Sequence, residues 1–154
     1  CMEDTKQVIV RIGEQFFGID ISDVVEIKEK CYITTLPSAG SNVLGLMNLR
    51  EEFIPIYSFR RKIGLEENVD ETNKVVIVNI RNTNVGIKID DVKEISNIEV
   101  NDLFDLPLIA HSEQTSYVSK VGKVGNDLVL LLDLKRIISR DEINAMDEMV
   151  SKFN

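Results

Sequence analysis

The sequence predicts a mainly β protein, built from two copies of a small five-stranded barrel that pack together and are followed by a C-terminal helix. Three observations predict this class: an internal repeat, short segments rich in β-branched residues, and a change to helical spacing after residue 138. With 154 residues, of which 44% are hydrophobic and 29% charged, the composition is typical of a globular protein rather than a disordered one.

The internal repeat sets the architecture. Ten residues from Gly18 to Ile27 align with ten from Gly86 to Ile95, and seven of these positions are identical. The matching segments are, in order, 8–10 with 76–78, 18–27 with 86–95, 36–37 with 106–107, and 54–63 with 129–138. Four matches in the same order indicate a duplicated unit.

We place the first barrel at residues 1–72, the second at 73–138 and the helix at 139–154. The linker is predicted at 66–73, a polar and acidic stretch in which Val69 is the one apolar residue. Because a unit of about 65 residues is marginal alone, we expect the barrels to share an apolar seam. The repeat leaves open whether the first strand of one unit completes the other barrel.

Each unit is predicted to contain about five short strands, the number of a small closed barrel without exposed edges. One strand per unit falls in the Asp-Val-x-Glu-Ile segment. The others are Val8–Ile12, Phe16–Ile21, Gly45–Leu49 and Phe53–Ile56 in the first unit, and Lys74–Ile80, Val85–Ile89, Tyr117–Val124 and Leu128–Leu132 in the second. Turns are predicted at Gly13-Glu14, Asn82-Thr83 and Gly125-Asn126-Asp127.

The C-terminal segment has helical signals. Ser139 and Glu142 match a capping box, in which each side chain satisfies a backbone N–H at the helix start. Four apolar residues follow at helical spacing: Ile143, Met146, Val150 and Phe153. We interpret this segment as a helix packed on its own barrel, with docking to a partner as the alternative.

Charge and hydropathy exclude several function classes. The 18 Lys and Arg residues against 26 Asp and Glu give a formal net charge of −8, which argues against nucleic acid because such binding depends mainly on neutralising phosphates. The longest apolar run, 128–132, is far shorter than the ~20 residues that cross a bilayer. We therefore expect neither nucleic-acid binding nor direct membrane insertion.

Residues suited to catalysis or metal binding are scarce. The single histidine, His111, would need a nucleophile among Ser112, Ser116 and Ser119, and such close neighbours in a loop rarely reach triad geometry. A zinc site needs three or four Cys or His ligands, more than Cys31 and His111 supply. The sequence therefore predicts no catalytic residue, no metal and no cofactor.

The two cysteines and the N-terminus suggest a compartment. Cys1 precedes Met2, so we interpret it as an addition to the natural chain; a lipidated cysteine is the alternative, without a signal peptide to support it. Cys31 is expected to be a half-buried small hydrophobe rather than a reactive thiol. Residues 2–7 are polar and charged. We expect a cytoplasmic protein.

Three further patterns receive structural interpretations. The Asp90-Asp91 pair is expected to form a turn or cap with its carboxylates pointing apart, since neighbouring side chains alternate faces. Gly122 and Gly125 indicate a hairpin rather than a binding loop. The basic run 60–62 is interpreted as a solvated helical turn rather than an anion site.

The segment Gly45-Leu46-Met47-Asn48-Leu49-Arg50, followed by Ile54-Pro55-Ile56, resembles the signature of the CheW-like domain family. That signature reads G-hydrophobic-x-N-L-R-G and then hydrophobic-P-hydrophobic. In the second half, Val85-Gly86-Ile87 with Ile89-Asp90 resembles a second family pattern. The likeness covers roughly residues 7–138.

The resemblance implies two SH3-like five-stranded barrels in a non-catalytic adaptor. It implies that barrel ends bind the regulatory domain of the histidine kinase CheA, and that an apolar groove between the barrels binds the cytoplasmic tip of chemoreceptors. It also implies a place in receptor arrays beneath the inner membrane.

The resemblance assigns seven residues to receptor binding. They are Val24, Glu26, Ile27, Gly45, Arg50, Val92 and Ile95. The alternative for the apolar members is plain barrel core. For Arg50 it is a structural ion pair that ties the barrels together, since a guanidinium suits either role.

Two residues depart from the family pattern. Glu51 replaces the glycine that closes N-L-R-G, and it would cost about 1 kcal/mol if that turn needs positive φ. Lys120 stands where a glycine is usual. Both departures concern local contacts rather than the fold.

Three functions follow as hypotheses. The leading one is an adaptor that couples chemoreceptors to CheA. The second keeps the fold but places it in a non-chemotaxis kinase pathway or a CheV-like fusion. The third, from a different class, is a small hydrolase that uses His111.

Overall fold

The computed structural model describes residues 3–36, 42–67 and 73–154. Within these ranges, strands dominate and three α-helices are present. In chain order the strands are β1 (Thr5–Ile12), β2 (Gln15–Asp20), β3 (Val24–Cys31), β4 (Thr34–Thr35), β5 (Val43–Leu49), β6 (Glu52–Ser58), β7 (Asn73–Ile80), β8 (Thr83–Ile89), β9 (Asp91–Ile98), β10 (Leu103–Phe104), β11 (Val118–Val124) and β12 (Asp127–Leu132). The helices are α1 (Phe59–Lys62), α2 (Leu134–Ile137) and α3 (Arg140–Ser151). The predicted mainly β fold with a C-terminal helix is confirmed.

The strands form two six-stranded sheets. The first sheet has the order β10-β11-β12-β2-β1-β9, and the second has the order β3-β7-β8-β6-β5-β4. Each contains the five strands expected of a barrel and one two-residue strand, β10 or β4. Within each sheet most neighbours are antiparallel, whereas β12 pairs with β2 and β6 pairs with β8 in parallel.

Both sheets combine strands from the two repeats. The first sheet takes β1 and β2 from the first repeat and its other four strands from the second, and the second sheet shows the reciprocal arrangement. A division at residue 72 therefore separates the repeats in sequence but does not separate the sheets. The exchange that the repeat left open involves the first two strands of each unit.

The largest apolar core lies between the two sheets. Its central members come from the first strand of each repeat: Val8, Val10 and Ile12 of β1, and Val76, Val78 and Ile80 of β7. Phe17, Phe59 and Tyr117 join it, with ring centroids 5.0 and 5.8 Å from the Phe59 ring. This core is the apolar seam that the marginal size of each unit predicts.

Smaller cores fill the inside of each curled sheet. In the first sheet, Ile9, Ile98, Val129 and Leu131 are buried together. A Cβ on Gly122 would lie 2.9 Å from Ile98 Cδ1, which shows how closely β11 approaches β9. The second sheet has its own cluster, which includes Met47, Ile56 and Ile77, with Cys31 packed against it.

The C-terminal helix α3 packs on the protein itself. Ser139 Oγ accepts from the Glu142 N–H at 3.1 Å and Glu142 Oε1 accepts from the Ser139 N–H at 3.2 Å, so the predicted capping box forms. Ile143 and Met146 enter the core between the sheets. Phe153 lies beyond the end of α3 and contacts the Phe53 ring, with centroids 6.1 Å apart.

The hairpin turns use left-handed backbone. Gly13 and Gly125 have φ of 62° and 60° in the first and last of these turns. The turn predicted at Asn82-Thr83 lies one residue earlier, at Arg81 and Asn82, with φ of 52° and 66°. Thr83 already belongs to β8 and pairs with Ile80.

Some predicted features fall outside the described residues. These are Cys1, Met2, Pro37 and most of the predicted linker, of which residues 66–67 and 73 are described. Cys31 is half-buried, and its thiol lies 3.3 Å from the Asn73 carbonyl. Burial raises the pKa of this thiol, as expected of a packed cysteine rather than a reactive one. In the described parts of the chain, no helix is long and apolar enough to cross a membrane.

Gly45→Ala is expected to destabilise the protein by roughly 2–3 kcal/mol, because a Cβ there would lie 1.9 Å from the Thr34 carbonyl oxygen and force β4 away from β5. Urea unfolding measures the loss. The matched control is Gly64→Ala, where φ is 86° but nothing lies within 4 Å, so only about 1 kcal/mol of backbone strain is expected. Equal losses in the two variants would contradict the steric role of Gly45.

Tyr57 is expected to stay un-ionised in the native protein at pH 10.5, because burial raises its pKa to about 12. In 8 M urea its pKa returns to about 10 and most of it ionises. Tyrosinate absorbance at 295 nm, compared between the protein and Tyr57→Phe, should differ in urea but not in the native state. A clear native-state difference at pH 10.5 would refute the prediction.

Candidate functional site

The candidate site lies on the two edge strands, β3 and β9. Each is the last strand of its sheet on one side and hydrogen-bonds to one neighbour among the described residues. On β3, Val24 lies opposite Val78 and Ile27 lies opposite Val76. Both partners belong to the core between the sheets, and cross-strand partners share a face. Val24 and Ile27 therefore face the seam between the sheets.

The second edge strand repeats this arrangement. Val92 of β9 lies opposite Val10, and Ile95 lies opposite Val8. Val8 and Val10 belong to the same core between the sheets. The two repeats thus place corresponding apolar pairs on corresponding edges, one pair beside β7 and the other beside β1.

A β-bulge in each edge strand makes this possible. Residues three apart in a regular strand face opposite sides of the sheet. The register of β3 shifts between Val24 and Glu26, and that of β9 skips Lys93, so an extra residue lies within each strand. The extra residue brings both apolar side chains of each pair to the same face. We call Val24, Ile27, Val92 and Ile95 the edge-strand surface.

The edge-strand surface is only partly covered by the protein's own core. Val24, Ile27 and Val92 are half-buried and pack at the margin of the core between the sheets. Ile95 is 49% exposed. These residues are therefore neither fully buried core nor isolated surface residues, and they offer apolar area to a partner.

Two more predicted residues, Glu26 and Arg50, meet in an ion pair. The Arg50 guanidinium donates to Glu26 Oε2 at 3.0 Å, and Lys28 Nζ lies 3.1 Å from the other carboxylate oxygen. Glu26 is on β3 and Arg50 is in the turn between β5 and β6, so the pair joins opposite sides of the second sheet. It does not tie the two barrels together, which was the structural alternative for Arg50.

Arg50 contributes little to stability in this position. Its side chain is 72% exposed, and exposed ion pairs contribute about 0–1 kcal/mol. Its φ of 51° is unfavourable for a residue with a Cβ. A residue that is exposed, charged and held in a strained turn is well placed to contact a partner.

Gly45 lies in a different setting from the other six predicted residues. It is buried in β5 opposite Ile56, and the Thr34 backbone approaches its Cα too closely for any side chain. Its part in the family motif is therefore explained by strand packing.

Both departures from the family pattern have clear local structures. Glu51 has φ of 71°, so the turn does need left-handed backbone where the family usually has glycine. The Asn48 side-chain oxygen accepts from the Glu51 N–H at 3.0 Å and holds the turn. Lys120 forms an ion pair with Asp105, and this hydrogen bond lowers the pKa of the Asp105 carboxyl.

Asp90 links the Gly13 turn to Arg60 through its carboxylate, a role that the sequence did not predict. Its Oδ2 accepts from the Gly13 N–H at 2.7 Å and from the Arg60 guanidinium at 2.6 Å. Arg60 is therefore an ion-pair partner rather than a solvated residue. Asp91 points elsewhere and accepts from Lys74 Nζ at 2.7 Å, as expected of neighbouring carboxylates on alternate faces.

The residues of the hydrolase hypothesis do not assemble into a triad. His111 Nε2 lies 2.8 Å from the Leu106 carbonyl oxygen. Ser116 and Ser119 donate to backbone carbonyls, and Ser112 Oγ lies 3.3 Å from Thr115 Oγ1. The described parts of the chain hold no group of three or more His, Cys, Asp or Glu residues suited to a metal ion.

The fold and site define a class: two interleaved barrels with an apolar edge-strand surface between them. A family model described as the CheW-like domain matches residues 6–142, and the chain belongs to this family. The resemblance seen in the sequence is confirmed.

Individual relatives agree with this assignment. The chain is 27% identical to the chemotaxis protein CheW of Klebsiella aerogenes over 143 residues, covering 92% of this chain and 86% of that protein. It is 28% identical to CheW of Treponema pallidum over 149 residues, covering 94% and 88%. The scaffolding protein TtCheW of Thermoanaerobacter tengcongensis has the same fold, with a TM-score of 0.78, 24% identity and coverage of 92% and 96%.

Glu51→Gly is expected to stabilise the protein by about 1 kcal/mol, because glycine adopts positive φ without the Cβ penalty. Urea unfolding measures the gain. Glu51→Gln removes the same charge but keeps the Cβ, so it should give no comparable gain. If both variants were stabilised equally, charge and not backbone strain would be the cause.

Proposed function

We propose that the protein is a non-catalytic adaptor of bacterial chemotaxis, which couples chemoreceptors to the histidine kinase CheA. The observation that carries this proposal is the edge-strand surface in a chain of the CheW-like domain family. An adaptor needs surfaces for two partners, and this chain has two separate apolar surfaces.

The first surface suits the receptor. The family resemblance implies that the cytoplasmic tip of a chemoreceptor binds an apolar groove between the barrels, and grooves of this kind accept the apolar face of an amphipathic helix. Val24 and Ile27 on one edge and Val92 and Ile95 on the other provide apolar contacts beside the seam between the sheets. The exposed Arg50 and the half-buried Glu26 supply charged groups near the β3 side of this surface.

The second surface suits the kinase. The turns before β2 and β12 mark one end of the first barrel, where a cavity of about 610 Å³ is lined largely by apolar side chains. Phe104 is 48% exposed and Leu128 is 63% exposed at this cavity. We assign this barrel end to the regulatory domain of CheA. Both partners place the protein in the cytoplasm, at receptor arrays beneath the inner membrane.

Variants of the first surface test receptor binding. Ile95→Asp places a charge on the exposed part of the edge-strand surface, and Arg50→Ala removes the guanidinium. Each should weaken binding to a receptor-tip fragment about tenfold or more, because a desolvated charge or a lost charged hydrogen bond costs 1.5–3 kcal/mol. Isothermal titration calorimetry measures the affinity, and Val92→Asp extends the test to a half-buried position.

Leu128→Asp is the matched control for the receptor titration, because it places the same charge at a comparably exposed apolar residue on β12. It should leave receptor binding unchanged and weaken binding to the kinase regulatory domain. Urea unfolding should show that Ile95→Asp and Arg50→Ala change stability by less than about 1 kcal/mol. Unchanged receptor affinity in both folded variants would refute the site assignment.

A further inference from the structure

A second turn with unfavourable backbone lies beside the start of helix α3. In the first repeat the corresponding turn has Gly13, which adopts φ of 62° without strain. In the second repeat Arg81 takes the equivalent position and adopts φ of 52°. Arginine here costs about 1 kcal/mol relative to glycine. Two-residue hairpins need positive φ at both central residues, and non-glycine residues held in this way cluster at functional sites, which makes Arg81 a candidate.

The Arg81 side chain lines a cavity and leaves a hydrogen-bond donor unsatisfied. Its Nε is buried and has no hydrogen-bond partner, and the guanidinium makes no ion pair with any residue in the described ranges. A buried donor without an acceptor is costly, and more so when it is charged. An acceptor that enters from outside would remove this cost.

A second arginine lines the same cavity. Arg140, the first residue of α3, faces the β7–β8 turn across a cavity of about 540 Å³ and has no ion-pair partner among the residues described. A positive charge at the N-terminus of a helix is opposed by the helix dipole. The cavity thus gathers two unpaired guanidinium groups in a protein whose formal net charge is −8.

The remaining lining fits an oxyanion. Asn82, Thr83 and Asn144 add amide and hydroxyl groups, while Asp147 is the single carboxylate among the described residues that line the cavity. Arg140, Asn144 and Asp147 lie at helical spacing on one face of α3, so the helix presents one wall of the cavity and the β7–β8 turn presents the other.

We propose that this cavity binds an oxyanion, a phosphate or a carboxylate group, between Arg81 and Arg140. Planar guanidinium groups bind both kinds of oxyanion through paired N–H donors. The site shares no residue with the edge-strand surface or with the barrel end that we assign to the kinase, so it is independent of the proposed function.

The test uses the full chain labelled with ¹⁵N and titrated with inorganic phosphate, against sodium chloride at equal ionic strength. The arginine Nε–H resonances report on the guanidinium groups directly. Phosphate should shift the Arg81 and Arg140 resonances saturably, and chloride should not. Equal effects of the two salts would overturn the proposal.

Variants separate binding from folding. Arg81→Gly should raise stability and abolish the phosphate-induced shift of the Arg140 resonance, whereas Glu51→Gly, which relieves a similar positive φ outside the cavity, should raise stability and leave phosphate binding unchanged. Arg140→Gln should weaken binding about tenfold, and Asp147→Asn should strengthen it by removing a like charge. Phosphate binding that is unchanged in Arg81→Gly would overturn the proposal.

A second titration identifies the source of the oxyanion. Acetate and a short glutamate-rich peptide are compared with phosphate on the same labelled protein. Tighter binding of the peptide would indicate an acidic segment of a protein partner, and tighter binding of phosphate would indicate a free or bound phosphate group. Both results support the site, while the absence of saturable shifts with all three overturns it.

Discussion

The structure depends on the apolar core between the two sheets. Neither repeat closes its own barrel, because each gives its first two strands to the sheet that the other repeat completes. The side chains of β1 and β7 meet in the core that this exchange creates. Burying this shared core gives the duplicated chain more apolar contact than two separate 65-residue units could reach. The two repeats are thus expected to unfold as one unit.

The exchange also determines where the candidate receptor site lies. Because, among the described strands, β3 pairs only with β7 and β9 pairs only with β1, these two strands become edges that flank the shared core. Edge strands expose backbone groups and side chains that a partner can use. The bulge in each strand then turns two apolar residues toward the seam. The packing that stabilises the fold therefore also leaves an apolar surface that the protein's own core covers only partly.

The repeats have diverged where they meet other parts of the chain. Asp90 joins the turn at Gly13 to α1 through Arg60, and its counterpart in the first repeat, Ser22, instead donates to Asp20, which caps a local turn. At the turn that corresponds to Gly13, the second repeat has Arg81 beside α3. At corresponding hairpin turns, the first repeat therefore meets the Asp90–Arg60 ion pair, and the second repeat meets the two unpaired arginines Arg81 and Arg140.

The sequence by itself determined the fold class, the duplication, most of the strand positions and the capped C-terminal helix, because periodicity, β-branched residues and capping residues act locally. The edge-strand residues were named from a family resemblance, and their common face follows from bulges that no local pattern reveals. The tertiary structure alone decided the strand exchange, since repeated strands have equivalent hydrogen-bonding groups and either copy can pair with them. It also decided that Arg50 pairs within one sheet, that Asp90 holds Arg60, and that Arg81 and Arg140 share a cavity. These contacts join residues far apart in the chain, and only packing brings them together.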